Sequence, residues 1–177
     1  MSKAGRDVNI KLQDLMDAFD SGSAEIWNYL DLDTGEIVMV TEDTRQQLEA
    51  LIEATDAETL EAIHMAIHNQ ELPDWEKDSL AGAALVEFAD NSRFVEIPRT
   101  DSREGYADME AFIETVSQAH VQELLQVAIR GKGAFRRFKD VLVDYPEERE
   151  RWFTFRDKRL RQRVLDWLEM EDIHPIL

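Results

Sequence analysis

From Lys11 to Asp20, apolar residues fall at Leu12, Leu15, Met16 and Phe19, the three- and four-residue spacing that lays one stripe along a helix. Ser21-Gly22-Ser23 reads as its stop. Two runs rich in β-branched and aromatic residues follow, Glu25–Leu32 and Glu36–Thr41, joined by Asp33-Thr34-Gly35. Gly35 can take the positive φ of a tight turn, so the pair reads as a β-hairpin. Helical stripes then resume. Thr41 reads as the cap of a helix with Glu42 and Asp43 in its first turn and Leu48, Leu51 and Ile52 inside. Thr55-Asp56-Ala57-Glu58 has the form of a capping box for a helix that places Leu60, Ile63, His64 and Ile67 on one face. Pro73-Asp74 marks a break, and a helix from about Lys77 to Ala89 would bury Leu80, Ala84, Leu85 and Phe88. Arg93–Ile97 reads as a third strand, ended by Pro98.

After a polar connector, residues 98–103, every pattern is helical. Tyr106, Met109, Phe112, Ile113 and Val116 form one stripe, and Val121, Leu124, Leu125 and Ala128 the next. Gly131-Lys132-Gly133 separates that helix from one over Ala134–Val143, with Phe135, Phe138 and Leu142 inward. Pro146, followed by Glu147, Glu148 and Glu150, opens a long last helix whose inner face is Phe153, Leu160, Val164, Trp167 and Leu168. Both chain ends read as frayed. The expectation is an α+β fold, mainly helical: over 1–100 an acidic region with a small antiparallel sheet (hairpin plus one strand) packed with helices, and over 101–177 an all-helical region.

Composition narrows the function classes. The chain has 177 residues, 33% of them charged, and no Cys, which excludes disulfides, thiolate nucleophiles and cysteine metal sites. No apolar run approaches the ~18 residues of a spanning helix. Met1 to Asp7 lacks the apolar stretch of a secretory signal, so a cytoplasmic location with no membrane partner is expected. The net charge of −18 opposes long-range attraction to nucleic acid and anionic membranes. That charge is unevenly placed. Residues 1–129 carry 8 Lys and Arg against 28 Asp and Glu, whereas 130–163 carry 12 against 6.

The basic segment holds the most chemistry. Arg130, Lys132, Arg136, Arg137 and Lys139 cluster around a glycine-flanked helix start, with Phe135, Phe138, Trp152, Phe153 and Phe155 interleaved. Cations with aromatics can hold a phosphate backbone while bases stack. The same aromatics have the spacing of a buried helix face, which leaves the arginines to solvent, to the acidic first half of the chain or to an acidic partner. Gly131-Lys132-Gly133 is no P-loop: the spacing is wrong and no Lys-Ser or Lys-Thr follows.

The string Gly133-Ala134-Phe135-Arg136-Arg137-Phe138-Lys139-Asp140, followed by Trp152 and Phe155, resembles an uncharacterised bacterial family of unknown function, one of the numbered UPF families. The likeness extends to the early helix, the Asp33-Thr34-Gly35-Glu36 hairpin and the Phe94–Pro98 strand. It implies a small cytoplasmic bacterial protein and carries over no catalytic residue.

Other chemistries are weaker. Glu61, His64 and His68 could present two imidazoles and a carboxylate from one helix to a metal, but HExxH is absent and His64 lies on the apolar stripe. Glu171 and His174 repeat the Glu-x-x-His spacing beside Pro175, on an end expected to fray. Asp31, Asp33 and Glu42 are explained by turn chemistry, since Gly35 is one position early for a calcium loop and strands flank it. No Gly-x-Ser-x-Gly occurs, and no cofactor is expected. These observations favour a non-enzymatic cytoplasmic binding or regulatory protein acting through protein contacts, an acidic protein among the partners it would suit, with Arg136, Arg137 and Lys139 as contact residues supported by Lys132 and Arg130. The alternatives are a nucleic-acid binder using the same basic helix, and a metal-dependent enzyme at Glu61, His64 and His68.

Overall fold

The computed structural model of the chain describes residues 5–21, 23–90 and 92–176; Gly22, part of the expected first helix stop, lies outside them. The elements run β1 (Arg6–Asn9), α1 (Leu12–Asp20), β2 (Ile26–Asp31), β3 (Ile37–Thr41), α2 (Glu42–Thr55), α3 (Leu60–His68), α4 (Asp74–Phe88), β4 (Phe94–Ile97), α5 (Ser102–Glu114), α6 (Ala119–Ala128), α7 (Ala134–Val143), α8 (Pro146–Met170) and β5 (Ile173–Ile176). The fold is α+β and mainly helical. It divides into two compact units, Met1–Arg99 with Trp167–Leu177, and Thr100–Asp166.

In the first unit, β2 is the centre of a three-stranded antiparallel sheet in the order β3-β2-β4. The β2–β3 register pairs Tyr29 with Val38, and Gly35 turns the hairpin at φ 77°. Side chains alternate across the sheet. Tyr29, Val38 and Val40 join Leu48, Ile63, Ile67, Leu80 and Ala84 from α2, α3 and α4 in one buried cluster. Asn28, on the opposite face, donates to Ser21 Oγ at 2.8 Å and to the Ala18 carbonyl, which ties α1 to β2. Asp31, almost fully buried, receives Nε and Nη2 of Arg93 at 3.0 and 2.7 Å. Burial alone would raise its pKa, but the hydrogen bonds from Arg93 and from the Asp33 N–H outweigh that and hold it below the ordinary carboxylate value.

Several expectations are corrected here. The chain ends are paired: β1 and β5 form a separate parallel pair, Arg6 opposite Ile173 and Asn9 opposite Ile176, with Val8 and Ile173 buried. Four-residue strands, one containing Pro175, are too short for alternation to announce them. Thr55 is not the cap of α3; it ends α2 with its hydroxyl on the Leu51 carbonyl, and Thr59 caps α3 by accepting from Ala62 N. The next helix starts at Asp74 rather than Lys77, because Pro73 fixes the entry φ at −59° and Asp74 and Glu76 favour a first turn.

The second unit is helical. Asp101 and Glu104 form a reciprocal capping box at the start of α5. Its core joins Met109, Phe112, Ile113, Val121, Leu125, Phe138, Leu142 and Trp152. Phe138 and Trp152 meet edge to face at a 4.8 Å centroid separation, as do Phe112 and Trp152 at 5.3 Å. Three residues of the expected inward stripes are exposed: Leu124 at 36%, Phe135 at 43% and Phe153 at 52%, with Trp152 taking the inward place of Phe153. One helix position is ~100° of rotation, so adjacent aromatics compete for the same stripe.

Candidate functional site

The sequence Ile129-Arg130-Gly131-Lys132-Gly133 forces a corner between two short helices. Gly131 and Gly133 adopt φ 73° and 78°, the left-handed region that a side chain disfavours. The corner is held by Arg137, one turn into α7. Its Nε donates to the Ala128 carbonyl at 2.9 Å, and its two terminal nitrogens donate to the carbonyls of Arg130 and Lys132. A planar guanidinium suits this, because its fixed fork reaches several acceptors at once. Those carbonyls close α6 and line the loop, so Arg137 braces the backbone.

All five basic candidates are exposed, and the other four make no such backbone contacts among the described residues. Arg136 makes one solvent-open pair with Asp140, Nε to Oδ2 at 3.9 Å. Beside them a cleft of about 390 Å³ opens between the start of α5 (Ser102, Arg103, Tyr106) and Gly131, Gly133, Ala134 and Phe135. Gly105 positions the wall of that cleft: a Cβ there would lie 3.0 Å from Phe135 Cε1. The site is therefore a braced, cation-rich corner around a partly apolar slot. Sequence reasoning missed Arg103, Gly105 and Tyr106. The capping box at Asp101–Glu104 could have placed this end of α5, but its proximity to α7 is tertiary.

Further along, α8 turns three of its six arginines to internal carboxylates and carbonyls. Arg159 Nε and Arg163 Nη2 both donate to Oδ1 of buried Asp108, at 2.8 and 2.6 Å, and Arg163 also faces Glu104 at 3.6 Å. Arg151 pairs with Glu148 at 2.6 Å and donates to the Thr115 carbonyl. The second unit as a whole carries 13 basic and 13 acidic residues, leaving the net −18 on the first unit.

The profile of the uncharacterised protein family UPF0158 matches residues 66–177. The chain belongs to this family. A relative, UPF0158 protein PA5073 of Pseudomonas aeruginosa, is 26% identical over 170 residues, covering 96% of this chain and 88% of that protein. No solved structure matches the chain significantly.

The UPF0158 match takes in the whole cationic corner and α8, and leaves out Glu61 and His64. His64 is exposed rather than on the core face of α3, where Ile63 and Ile67 are buried as expected, and His68 is exposed as well. Both imidazoles line a cleft with Asp74, Lys77 and Asp78, where Lys77 Nζ donates to the His68 carbonyl at 3.0 Å. Among the described residues no three His, Asp or Glu side chains converge on a metal-sized point. His174 is ordered in β5, its Nδ1 3.7 Å from Asp7. Among the described residues no helix is long and apolar enough to cross a membrane.

Proposed function

We propose that this UPF0158 chain is a non-enzymatic binding protein that acts through protein contacts, docking an acidic segment of a partner on the corner between α6 and α7. The observation that carries this reading is the division of labour among its cations. Arg137 braces the loop, while Arg130, Lys132, Arg136 and Lys139 are exposed on the same segment, whose Gly131, Gly133, Ala134 and Phe135 line an open slot. A preformed corner loses little conformational entropy when a partner arrives. Exposed cations steer and select acidic partners, and the slot walled by Tyr106 and Phe135 accepts an apolar anchor.

The test is fluorescence anisotropy with a labelled Asp/Glu-rich peptide carrying one aromatic residue. The wild-type chain is expected to bind it. The double variant Lys132→Glu/Arg136→Glu is expected to bind about 10-fold or more weakly, at unchanged melting temperature. Equal affinity for both proteins, or for a neutral peptide of the same length, overturns the reading.

A further inference from the structure

We infer that the acidic segment received by this corner is supplied by a second copy of the chain: the projecting turn Glu71-Leu72-Pro73-Asp74-Trp75-Glu76 with Asp78. The inference rests on the docking reading above and names its partner. Trp75 is 70% exposed, and no Phe or Trp among the described residues is more so. It stands on the first turn of α4, where Pro73 sets the chain direction, and the Ser79 hydroxyl bonds its carbonyl at 2.8 Å. Around it lie Glu71, Asp74, Glu76 and Asp78, with Lys77 the one cation, already committed to the His68 carbonyl. An exposed indole flanked in sequence by four carboxylates, on the first turn of a helix, is an anchor of the composition the slot asks for. The slot offers the complement: Phe135 and Tyr106 as aromatic walls, Arg103 on its lining, and exposed Arg130, Lys132 and Arg136 adjoining in sequence the lining residues Gly131, Gly133 and Phe135.

Electrostatics permits the encounter. Repulsion between two chains of net charge −18 is screened beyond ~8 Å at physiological ionic strength. The unit holding the slot is neutral, with 13 charges of each sign, so it does not repel the acidic turn of a second copy. Each copy carries one anchor and one slot. The contact is therefore between unlike patches, and it either closes reciprocally into a dimer or extends into a ladder.

The test is sedimentation velocity on the full chain from ~1 μM to ~1 mM, the range of weak specific contacts. The wild type is expected to show concentration-dependent association that weakens as salt rises. Trp75→Ala, which keeps the slot, and Lys132→Glu/Arg136→Glu, which keeps the anchor, are each expected to stay monomeric with unchanged melting temperatures. An equimolar mixture of the two is expected to form a 1:1 dimer and nothing larger. A wild type monomeric throughout, or a Trp75→Ala variant that associates like the wild type, overturns the inference. The two readings fail separately. If the monomeric wild type still binds the unrelated acidic peptide through Lys132 and Arg136, the corner stands and the second copy falls. If it binds neither, both fall.

Discussion

Replacing Arg137 and replacing Arg136 should have very unequal consequences for stability, although the two arginines adjoin in sequence. Arg137 donates to three backbone carbonyls, those of Ala128, Arg130 and Lys132. A net ~0.5–1.5 kcal/mol per hydrogen bond sets the scale. The guanidinium is partly open to water, so the lower half of the summed range applies, about 1.5–3 kcal/mol for Arg137→Ala. In a chain of 177 residues that corresponds to a fall in melting temperature of about 3–12 °C. Arg136 has one exposed pair at 3.9 Å, in a class of i,i+4 contacts contributing about 0.3–0.5 kcal/mol, so Arg136→Ala should shift the melting temperature by less than about 2 °C. Arg137→Lys should recover about a third of the loss, since one ammonium reaches one carbonyl where the fork reaches three. Calorimetry gives the melting temperatures, and amide exchange over 129–133 reports whether the corner has loosened. If Arg137→Ala melts with the wild type and its loop amides exchange no faster, the brace has no energetic content and the site built on it goes too.

Further substitutions test other parts of the structure. Asp108→Ala removes a buried carboxylate shared by Arg159 and Arg163; both arginines reach water in part, so the loss is placed at about 2–4 kcal/mol by thermal melting. Asp31→Asn should cost most near neutral pH. A carboxyl held below its ordinary value contributes stability above the unfolded pKa of ~4, and loses it as pH falls through the lower folded value; the gap between wild-type and variant melting temperatures should therefore narrow on acidification below about pH 4. Gly105→Ala brings a methyl against the Phe135 ring and should weaken binding of the acidic peptide, with the ring's displacement readable in its NMR shifts. Gly133→Ala, at φ 78°, should destabilise by about 1 kcal/mol, again by thermal melting.

Legibility in the sequence followed the range of the interactions. The hairpin was readable because its signals are local: the β-branched run Ile37–Thr41, a turn glycine at Gly35, and Thr41 as cap to Thr44 N at 3.2 Å. The β1–β5 pair was not, because Arg6–Asn9 and Ile173–Ile176 complete each other across nearly the whole chain. The basic residues of the corner were visible as a cluster, but their roles were not. Nothing in Arg136-Arg137 says which guanidinium folds back on the loop, since that depends on helix phase relative to Gly131 and Gly133. Nor could the pattern place Tyr106 and Gly105 beside Phe135, a tertiary approach between α5 and α7.

Charge and aromatic exposure weigh differently on the nucleic-acid reading once the units are separated. Net charge of −18 was the objection to it, but a whole-chain sum is the wrong scale for a contact screened within ~8 Å. The unit holding the basic corner is neutral, so electrostatics alone would not keep a phosphate backbone away from Lys132 and Arg136. What weakens that reading is the fate of the rings. Of the five aromatics interleaved with the cations, Phe138 and Trp152 are core residues in edge contact with Phe112, and Phe155 packs partly against the same cluster. A single-strand platform needs ring faces open to successive bases. Phe135 and Phe153 alone expose about half their surface, and Phe135 already walls the slot. Cations beside a single slot walled by Tyr106 and Phe135 suit an acidic chain carrying one anchor better than a run of stacked bases. Gel shift on single-stranded RNA at two salt concentrations puts this directly: non-specific phosphate contacts would give weak, steeply salt-dependent binding, unchanged by Phe135→Ala. Loss of RNA binding on removing that one ring, at unchanged stability, would show the slot to be a base-stacking site and reverse the preference.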